Sequence, residues 1–592
     1  MCGFVGIRRR DGGPAESRDI ERMLEPLLHR GPDGRGIWFS DGIALGHLRL
    51  SILDLSERAA QPIATEGGRQ VLVYNGEVYN YEELRGELER EGVRFQSTGD
   101  TEVVLQALVR WGPELARDRL GIKPLYVAEC GPELLFGSEP QALLAHPGMS
   151  RRPDRLAIAS FVMRGRPDAR LTMFDGITAI EPGSWWRVTG DGVRRHRWFH
   201  VLDALDIDRL LAESHIGAVE RFERALDESV RLHLAADVPV ATICSGGVDS
   251  SLVTAVAHRH LDGLRTYVAD LPFARGEGDK AQRVADSLGV PITRVPIERE
   301  EYLSCWPEAV ASDGHPCFHR SNVALFLLAR ACRKDGIKVL LNGEGADELF
   351  GGYLWQEAAY RTHDWRSRLA RALIPFPRQR RRVRRTLKSR RFQALPGVAG
   401  LGVRAIATVD GEGELRRRAL LDKLARVRSQ ADRAFLARCL DDLYYSLDPL
   451  LRRHDRMAMA ASIEMRVPFL ENALIDLGMH LPRRAKLHRG VSKWVVKQAA
   501  RKVLPEDVVL AEKRAFPMPP DFDAGCEALL DGGAAGELLH WTESTRRAVT
   551  LVAARDPKLR FQLVGLELWA RIAFRGEDPG ELAEELHAAV RG

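Results

Sequence analysis

Beyond about residue 210, short apolar segments alternate with helix-length ones, and this order constrains the fold more than any other feature of the chain. VPVATIC (238–244) runs into a helix expected from Ser251, LRTYVADL (264–271) follows, and the helical VALFLLARACRK (323–334) leads into KVLLN (338–342). Strands apolar on both faces must be covered on both faces, and strand–helix–strand order enforces parallel pairing. The alternation predicts a doubly wound parallel sheet with helices on both sides. Residues 1 to about 200 read differently, as short strands and turns such as VLVYNGEVYNY (71–81) and ELLFGSEP (133–140). The polar stretch HRWFHVLDALD (196–206) is the expected boundary, giving modules 1–205 and 206–592. After about 355 the chain reads as mostly helical, with FLENALIDLGMHL (469–481) and KWVVKQAARKVL (493–504) apolar at three- and four-residue spacing.

Composition excludes several classes. Hydrophobic residues make up 45% and charged residues 29% of 592, values of a packed globular chain rather than a disordered or disulfide-dense one. Apolar runs fall far short of the roughly 18 residues of a membrane span. MCGFVGIRRR lacks the basic-then-apolar order of a secretory signal, so a cytoplasmic location is expected. The eight cysteines form no CxxC pair, which argues against a zinc ribbon or a thioredoxin-type motif. Net charge is only +5, but Arg361–Arg391 holds 12 Arg and one Lys against Asp364 alone. That run lacks interleaved aromatics and contains Pro375 and Pro377, so it reads as a solvated basic insertion near 355–430 rather than a nucleic-acid interface.

Cys2 follows the initiator Met directly. Removal of Met1 would give Cys2 a free α-amine of reference pKa about 7.7 to 8.0, able to serve as base for its own thiol. His29-Arg-Gly-Pro-Asp-Gly34, Gly46-His-Leu-Arg-Leu50, Tyr74-Asn-Gly-Glu77 and Ser97-Thr-Gly-Asp-Thr-Glu102 follow in order. Together these segments resemble the glutaminase domain of class II, N-terminal-nucleophile amidotransferases. The resemblance implies Cys2 as nucleophile, with the Asn75 side chain and Gly76 N–H as oxyanion hole. It implies that Arg49 pairs with the carboxylate of glutamine, with Asn75, Glu77 and Asp100 completing its site.

Ser245-Gly-Gly-Val-Asp-Ser250 lies between an apolar strand and a helix, where unpaired N–H groups and the helix dipole make an anion site. It has no GK[ST] ending. Gly343-Glu-Gly-Ala-Asp-Glu-Leu-Phe-Gly-Gly-Tyr353 directly follows KVLLN, placing carboxylates where parallel sheets bind ligands. SGGVDS resembles the loop of ATP pyrophosphatases, and with GEGADELFGGY the chain resembles the asparagine synthetase family. That resemblance implies that Ser245, Gly246, Gly247, Asp249, Ser250 and Gly343 bind ATP and that Asp249 and Asp347 hold Mg²⁺. Glu344 would sit at the acceptor and help deprotonate ammonia. Lys513, in Glu512-Lys-Arg-Ala-Phe-Pro517, would neutralise charge on the α-phosphate. The His454–Leu470 segment also matches, with Arg456, Glu464 and Arg466 open between a functional and a structural ion network.

The fold implied is α/β and α+β, a shortened αββα N-terminal-nucleophile sandwich followed by a doubly wound, adenine-nucleotide-hydrolase-like domain with a helical C-terminal part. The function implied is ATP-dependent, AMP-forming amidation of aspartate or a related small carboxylate by ammonia from glutamine or free ammonium. No membrane or nucleic-acid partner is expected, and a homodimer is left open. Two departures stand out. Only Pro113, Glu114 and Leu115 join Trp111-Gly112 to Ala116-Arg-Asp-Arg-Leu-Gly-Ile-Lys-Pro-Leu-Tyr126, where the family carries further sandwich strands. Losing a core strand would loosen the sandwich and weaken glutamine use. Asp313-Gly-His-Pro316 replaces an Asp-Glu-Pro version near the acceptor, so the acceptor need not be aspartate. The shortening also raises an intramolecular amide-forming enzyme, resembling β-lactam synthetases or lasso-peptide cyclases, as an alternative that Cys2 opposes. A non-catalytic nucleic-acid-binding protein is the weaker alternative.

Overall fold

Gly3–Arg9 (β1) lies in the middle of an antiparallel six-stranded sheet. Its other strands are Gly34–Ser40 (β2), Ile43–Arg49 (β3), Tyr126–Cys130 (β7), Glu133–Gly137 (β8) and Ile177–Ala179 (β9), in the order β2-β3-β1-β8-β7-β9. The computed structural model describes residues 2–111, 115–166, 170–189, 191–271, 277–363, 403–511, 518–519 and 521–591, with side chains of 403–412 left aside. Gly6 fits β1 against β8, because a Cβ there would stand 2.0 Å from the Phe136 ring. One face of this sheet packs on helix Ser17–Leu24 through Ile20, Met23 and Leu24. The other faces a thin second layer: the hairpin Ile63–Ala64 (β4) and Val71–Leu72 (β5), and a three-stranded sheet of Gly192–Arg197 (β11), Ser184–Thr189 (β10) and Leu115–Ala116 (β6). The interior between the layers is small: Phe4, Leu45, Leu125, Val127, Phe136 and Ile180 are buried, while Trp38, Val71, Leu115 and Trp186 are only partly so.

The strand that follows Cys2, β1, is paired on both sides, with β3 and β8. The expected strand over 71–81 is reduced to Val71–Leu72, and a helix, Tyr81–Arg90, starts inside it. The alternating pattern misleads because side chains take the backbone N–H groups a ladder would need. Gln61 Oε1 accepts from Tyr74 N at 2.6 Å, and Asp100 Oδ2 accepts from Val78 N at 2.9 Å.

The second half contains the expected parallel sheet. Val240–Ile243 (β12), Arg265–Asp270 (β13), Ile292–Pro296 (β14), Val339–Leu341 (β15) and Glu464–Arg466 (β16) run in the order β14-β13-β12-β15-β16, parallel throughout. Sequence reading misses both edge strands. β14 mixes polar and apolar residues, and β16 is three residues long. The helix expected from Ser251 begins at Val248, immediately after Gly247. From β12 the chain winds outward through β13 and β14, then returns to add β15 on the other side. The switch point lies between the C-terminal ends of β12 and β15, where sheets of this kind leave a crevice.

Helix Leu447–Met459 is almost entirely buried and joins the two halves. Its Asp455 takes both Arg30 Nη1 (2.8 Å) and Nη2 (3.2 Å), its Arg456 lies 2.6 Å from Glu139, and its Asp448 lies 3.0 Å from Arg117. Arg30 also donates to Glu139 at 2.8 Å. Removing one member of such a buried pair leaves an uncompensated charge, at a cost of about 3–5 kcal/mol. Arg456 is thus part of an ion network between the halves. No helix among the described residues is long and apolar enough to cross a membrane.

Candidate active sites

Cys2 is buried at the start of β1, and its backbone N–H donates to Asn75 Oδ1 at 3.0 Å. With the amide oxygen so engaged, Asn75 Nδ2 is a buried donor without a hydrogen-bond partner, the kind of group an oxyanion would satisfy. Gly76 follows in a turn too tight for a side chain, since a Cβ would stand 2.5 Å from the Tyr74 ring. Burial raises the Cys2 thiol above its ordinary range, with the Arg49 charge among the groups opposing it. A base is therefore required to make the thiolate.

Arg49, buried at the end of β3, turns its guanidinium to the carbonyls of Ser56 (2.7 Å), Leu53 (3.4 Å) and Asp54. Asp100 is buried and the Glu77 side chain is only 6% exposed, and burial raises both carboxyls. Arg466 Nη2, from β16, lies 3.4 Å from Glu77 Oε1, and Arg466 Nε lies 3.3 Å from Glu464. Arg466 and Glu464 of the second half thus stand against the Glu77 carboxylate of the first. Cys2, Asn75, Gly76, Glu77, Asp100 and Arg49 all lie on β1, β3 and the neighbouring 74–100 segment.

The second site occupies the crevice between β12 and β15. Ser245 N and Oγ lie 3.1 and 3.0 Å from Ser250 Oγ, closing the SGGVDS loop on itself. Gly246 has φ +71°, and a Cβ there would meet Lys280 at 2.6 Å. Gly343 lets the second loop touch the first, because its Cβ would stand 2.6 Å from Ser250 N. These contacts set Asp249 opposite Asp347. Lys493 Nζ bridges them, 2.6 Å from Asp249 Oδ2 and 2.8 Å from Asp347 Oδ1. Two carboxylates converging on one cationic point beside an anion loop form a donor set suited to Mg²⁺ with phosphate oxygens.

Glu344, on the same loop, lies 3.6 Å from His454 Nε2 and 4.0 Å from Arg453 Nη2. Burial, with Arg453 adding to it, holds His454 well below the ordinary histidine range, so it faces Glu344 uncharged. Both loops line one cavity of about 1310 Å³, together with Lys280, His319, Tyr353, Arg453 and Lys493. Sequence reading missed Lys493. Its signal is a backbone at φ +51° just before a helix, which no residue pattern announces. Lys513 and the basic residues 364–391 lie outside the described residues.

Residues 221–550 match the family model described as asparagine synthase, and residues 1–116 and 113–199 match, in two pieces, the glutamine amidotransferase domain. The break between the two pieces falls at the short connection. Over 570 residues the chain is 30% identical to asparagine synthetase [glutamine-hydrolyzing] 3 of Bacillus subtilis, covering 89% of this chain and 88% of that one. It is 28% identical over 569 residues to asparagine synthetase [glutamine-hydrolyzing] 1 of the same bacterium, covering 88% and 87%. Amidase chry2 of Gibberella zeae is 31% identical over 403 residues, covering 60% of this chain and 59% of that protein.

Proposed function

The chain belongs to the asparagine synthase family, and we propose that it is an ATP-dependent carbon–nitrogen ligase that takes its nitrogen from glutamine and forms AMP. Residues 1–205 are its glutaminase module and 206–592 its synthetase module. The observation that carries this reading is the meeting of SGGVDS and GEGADE at the switch point, with Asp249 and Asp347 on one cationic point. A cleft built for one nucleotide and one divalent cation, in the same chain as Cys2 and Asn75, suits amidation better than either chemistry alone.

A carboxylate resists amine attack, so its oxygen first attacks the α-phosphorus of ATP and pyrophosphate leaves. Ser245, Gly246, Gly247, Ser250 and Gly343 cradle the phosphates. Asp249 and Asp347 would hold Mg²⁺, which would supply charge neutralisation for the departing pyrophosphate. Lys493, already at that point, shares this work, and Lys513 would neutralise charge on the α-phosphate. At the other site Cys2 attacks the glutamine amide as Asn75 Nδ2 and Gly76 N–H take the oxyanion, and ammonia leaves. Water then releases glutamate from the thioester. Ammonia attacks the acyl-adenylate carbon, AMP departs, and Glu344 takes the surplus proton.

Incubation with ATP, Mg²⁺, glutamine and a panel of carboxylates, read by mass spectrometry, tests the proposal. AMP, pyrophosphate and an amide in equal amounts are expected. ADP and phosphate as products would refute it.

A further inference from the structure

Arg466 reaches from the second module to the first. It ends β16, the edge strand of the parallel sheet, and it is fully buried. Nη1 donates to the carbonyls of His233 (2.8 Å) and Ala235 (2.7 Å), and Nε lies 3.3 Å from Glu464. The guanidinium carbon stands 5.5 Å from the centre of the Tyr79 ring, which stacks in turn on His233 at 3.7 Å. Contacts along its edge and face fix the plane of the guanidinium. The remaining nitrogen, Nη2, is left toward Glu77 Oε1, 3.4 Å away.

That contact is an ion pair without a hydrogen bond. Glu77 Oε1 and Arg466 Nη2 are both buried with no hydrogen-bond partner, and a buried acceptor left open calls for a donor. Arg466 and the chain's amino terminus face Glu77 as positive charges, Asp100 and Glu464 as negative ones, and the Tyr74 and Tyr79 phenols are in electrostatic contact with it. Burial pushes the Glu77 carboxyl up, and Arg466 is the strongest influence against that rise. Asp100, whose Oδ2 accepts from Val78 N, is pushed up by burial as well. A carboxyl that receives an ammonium has to be ionised, so the guanidinium beside Glu77 decides how well this pocket holds an α-amine.

We propose that Arg466 is a positioning residue for glutamine: it holds the Glu77 carboxylate where the α-ammonium of glutamine is received, so the glutamine site of the first module is complete only with the second module docked on it. Arg466 does not touch glutamine and acts through Glu77. The same residue adjoins the other site through its backbone, where its carbonyl accepts from Asn342 N at 3.1 Å, next to Gly343 and Glu344. The inference rests on the reading of residues 1–205 as a glutaminase module.

Calorimetry on the full chain carrying Cys2→Ala, so that glutamine is bound without being consumed, tests the role directly. Glutaramate, which is glutamine without its α-amino group, is the comparison probe. Arg466→Gln is neutral but still a donor for the neighbouring carbonyls, and Arg466→Lys keeps the charge. At pH 7 Arg466→Gln is expected to weaken glutamine about ten-fold and Arg466→Lys about three-fold, with glutaramate unchanged in both. The loss in Arg466→Gln should shrink as pH rises to 8.5, because Glu77 then ionises without the guanidinium. In a Glu77→Gln background Arg466→Gln should have no further effect. Equal weakening of glutamine and glutaramate, or a full effect of Arg466→Gln without Glu77, would overturn the proposal and leave Arg466 a purely structural residue. Arg466→Lys carries the same comparison if the neutral variant does not fold: a loss confined to glutamine supports the role, and a loss shared with glutaramate overturns it. The expected pattern in a chain whose wild type never hydrolyses glutamine would uphold the positioning role and refute the glutaminase reading instead.

Discussion

Lys493 Nζ lies 2.6 Å from Asp249 Oδ2, so an ammonium from a segment far along the chain sits where the two phosphate-side loops meet. Its second contact, 2.8 Å to Asp347, makes it the shared counter-charge of both carboxylates. Because charge grows on pyrophosphate as it leaves, a cation here stabilises the transition state more than bound ATP. Lys493→Met is expected to lower ATP–pyrophosphate exchange on the order of 100-fold while shifting the KM for ATP only a few-fold. Equal losses in both would make Lys493 a simple binding residue.

Asp249→Asn and Asp347→Asn each remove one formal charge from a cation site with two carboxylates. Each should abolish exchange at millimolar Mg²⁺ and leave glutamine hydrolysis at Cys2 intact. Exchange with a normal Mg²⁺ requirement in either variant would place the cation elsewhere.

The first module is expected to work despite its thin second layer. β1 is paired on both sides, and the 3.0 Å contact between Cys2 N and Asn75 survives the shortening at 113–115. Glutamine-dependent synthesis should therefore be measurable and vanish in Cys2→Ala, with ammonium-dependent synthesis retained. Asn75→Ala, which deletes the buried Nδ2 donor, should lower glutamine hydrolysis by about 100-fold or more. Ammonium-only activity in the wild type would show that the lost strands matter after all.

How much of this was legible depended on how local each signal is. SGGVDS and GEGADE each sit between an apolar strand and a helix, so a few adjacent residues announced both loop and context. The family resemblance pairs Asp249 with Asp347 as Mg²⁺ ligands, and the fold brings both carboxylates to Lys493 Nζ. Lys493 was invisible, since what matters is its approach to residues about 240 and 150 positions away. Arg30 and Asp455 are 425 residues apart, and no periodicity links them. The 74–80 loop was misread as a strand because Gln61 and Asp100 side chains, not a neighbouring strand, satisfy its N–H groups. No local pattern singles out Arg164, Arg166 or Arg416, which the fold gathers around the Tyr445 ring.

Asp313 gives a pH prediction. Burial pushes its carboxyl up to about 7, with Glu139 adding to the shift and Arg456, Arg452 and Asn322 opposing it. A carboxyl raised on folding binds its proton more tightly in the native state. Its contribution is complete below the unfolded value near 3.8 and is lost as pH rises to about 7, at up to about 1.4 kcal/mol per pH unit. Asp313→Asn stays neutral throughout. Denaturant unfolding should show the variant gaining on the wild type between pH 5 and 7 and holding a constant advantage above that. A pH-independent difference would mean that Asp313 is ionised across the range.

Consecutive residues of one helix face the two sites: His454 stands 3.6 Å from Glu344, while Asp455 holds both terminal nitrogens of Arg30. Arg30 Nε in turn donates to the Cys2 carbonyl at 3.1 Å. A shift of this helix on acceptor activation would therefore reach the nucleophile through a single guanidinium. Arg30→Lys keeps the charge but cannot hold Cys2 O and the Asp455 carboxylate together. The expected outcome is ammonium-dependent synthesis within about three-fold of wild type, with glutamine-dependent synthesis down ten-fold or more. Glutamate should then form in excess over AMP, because hydrolysis no longer waits on the adenylate. One glutamate per AMP in the Arg30→Lys enzyme would show that the two sites are coupled by another route.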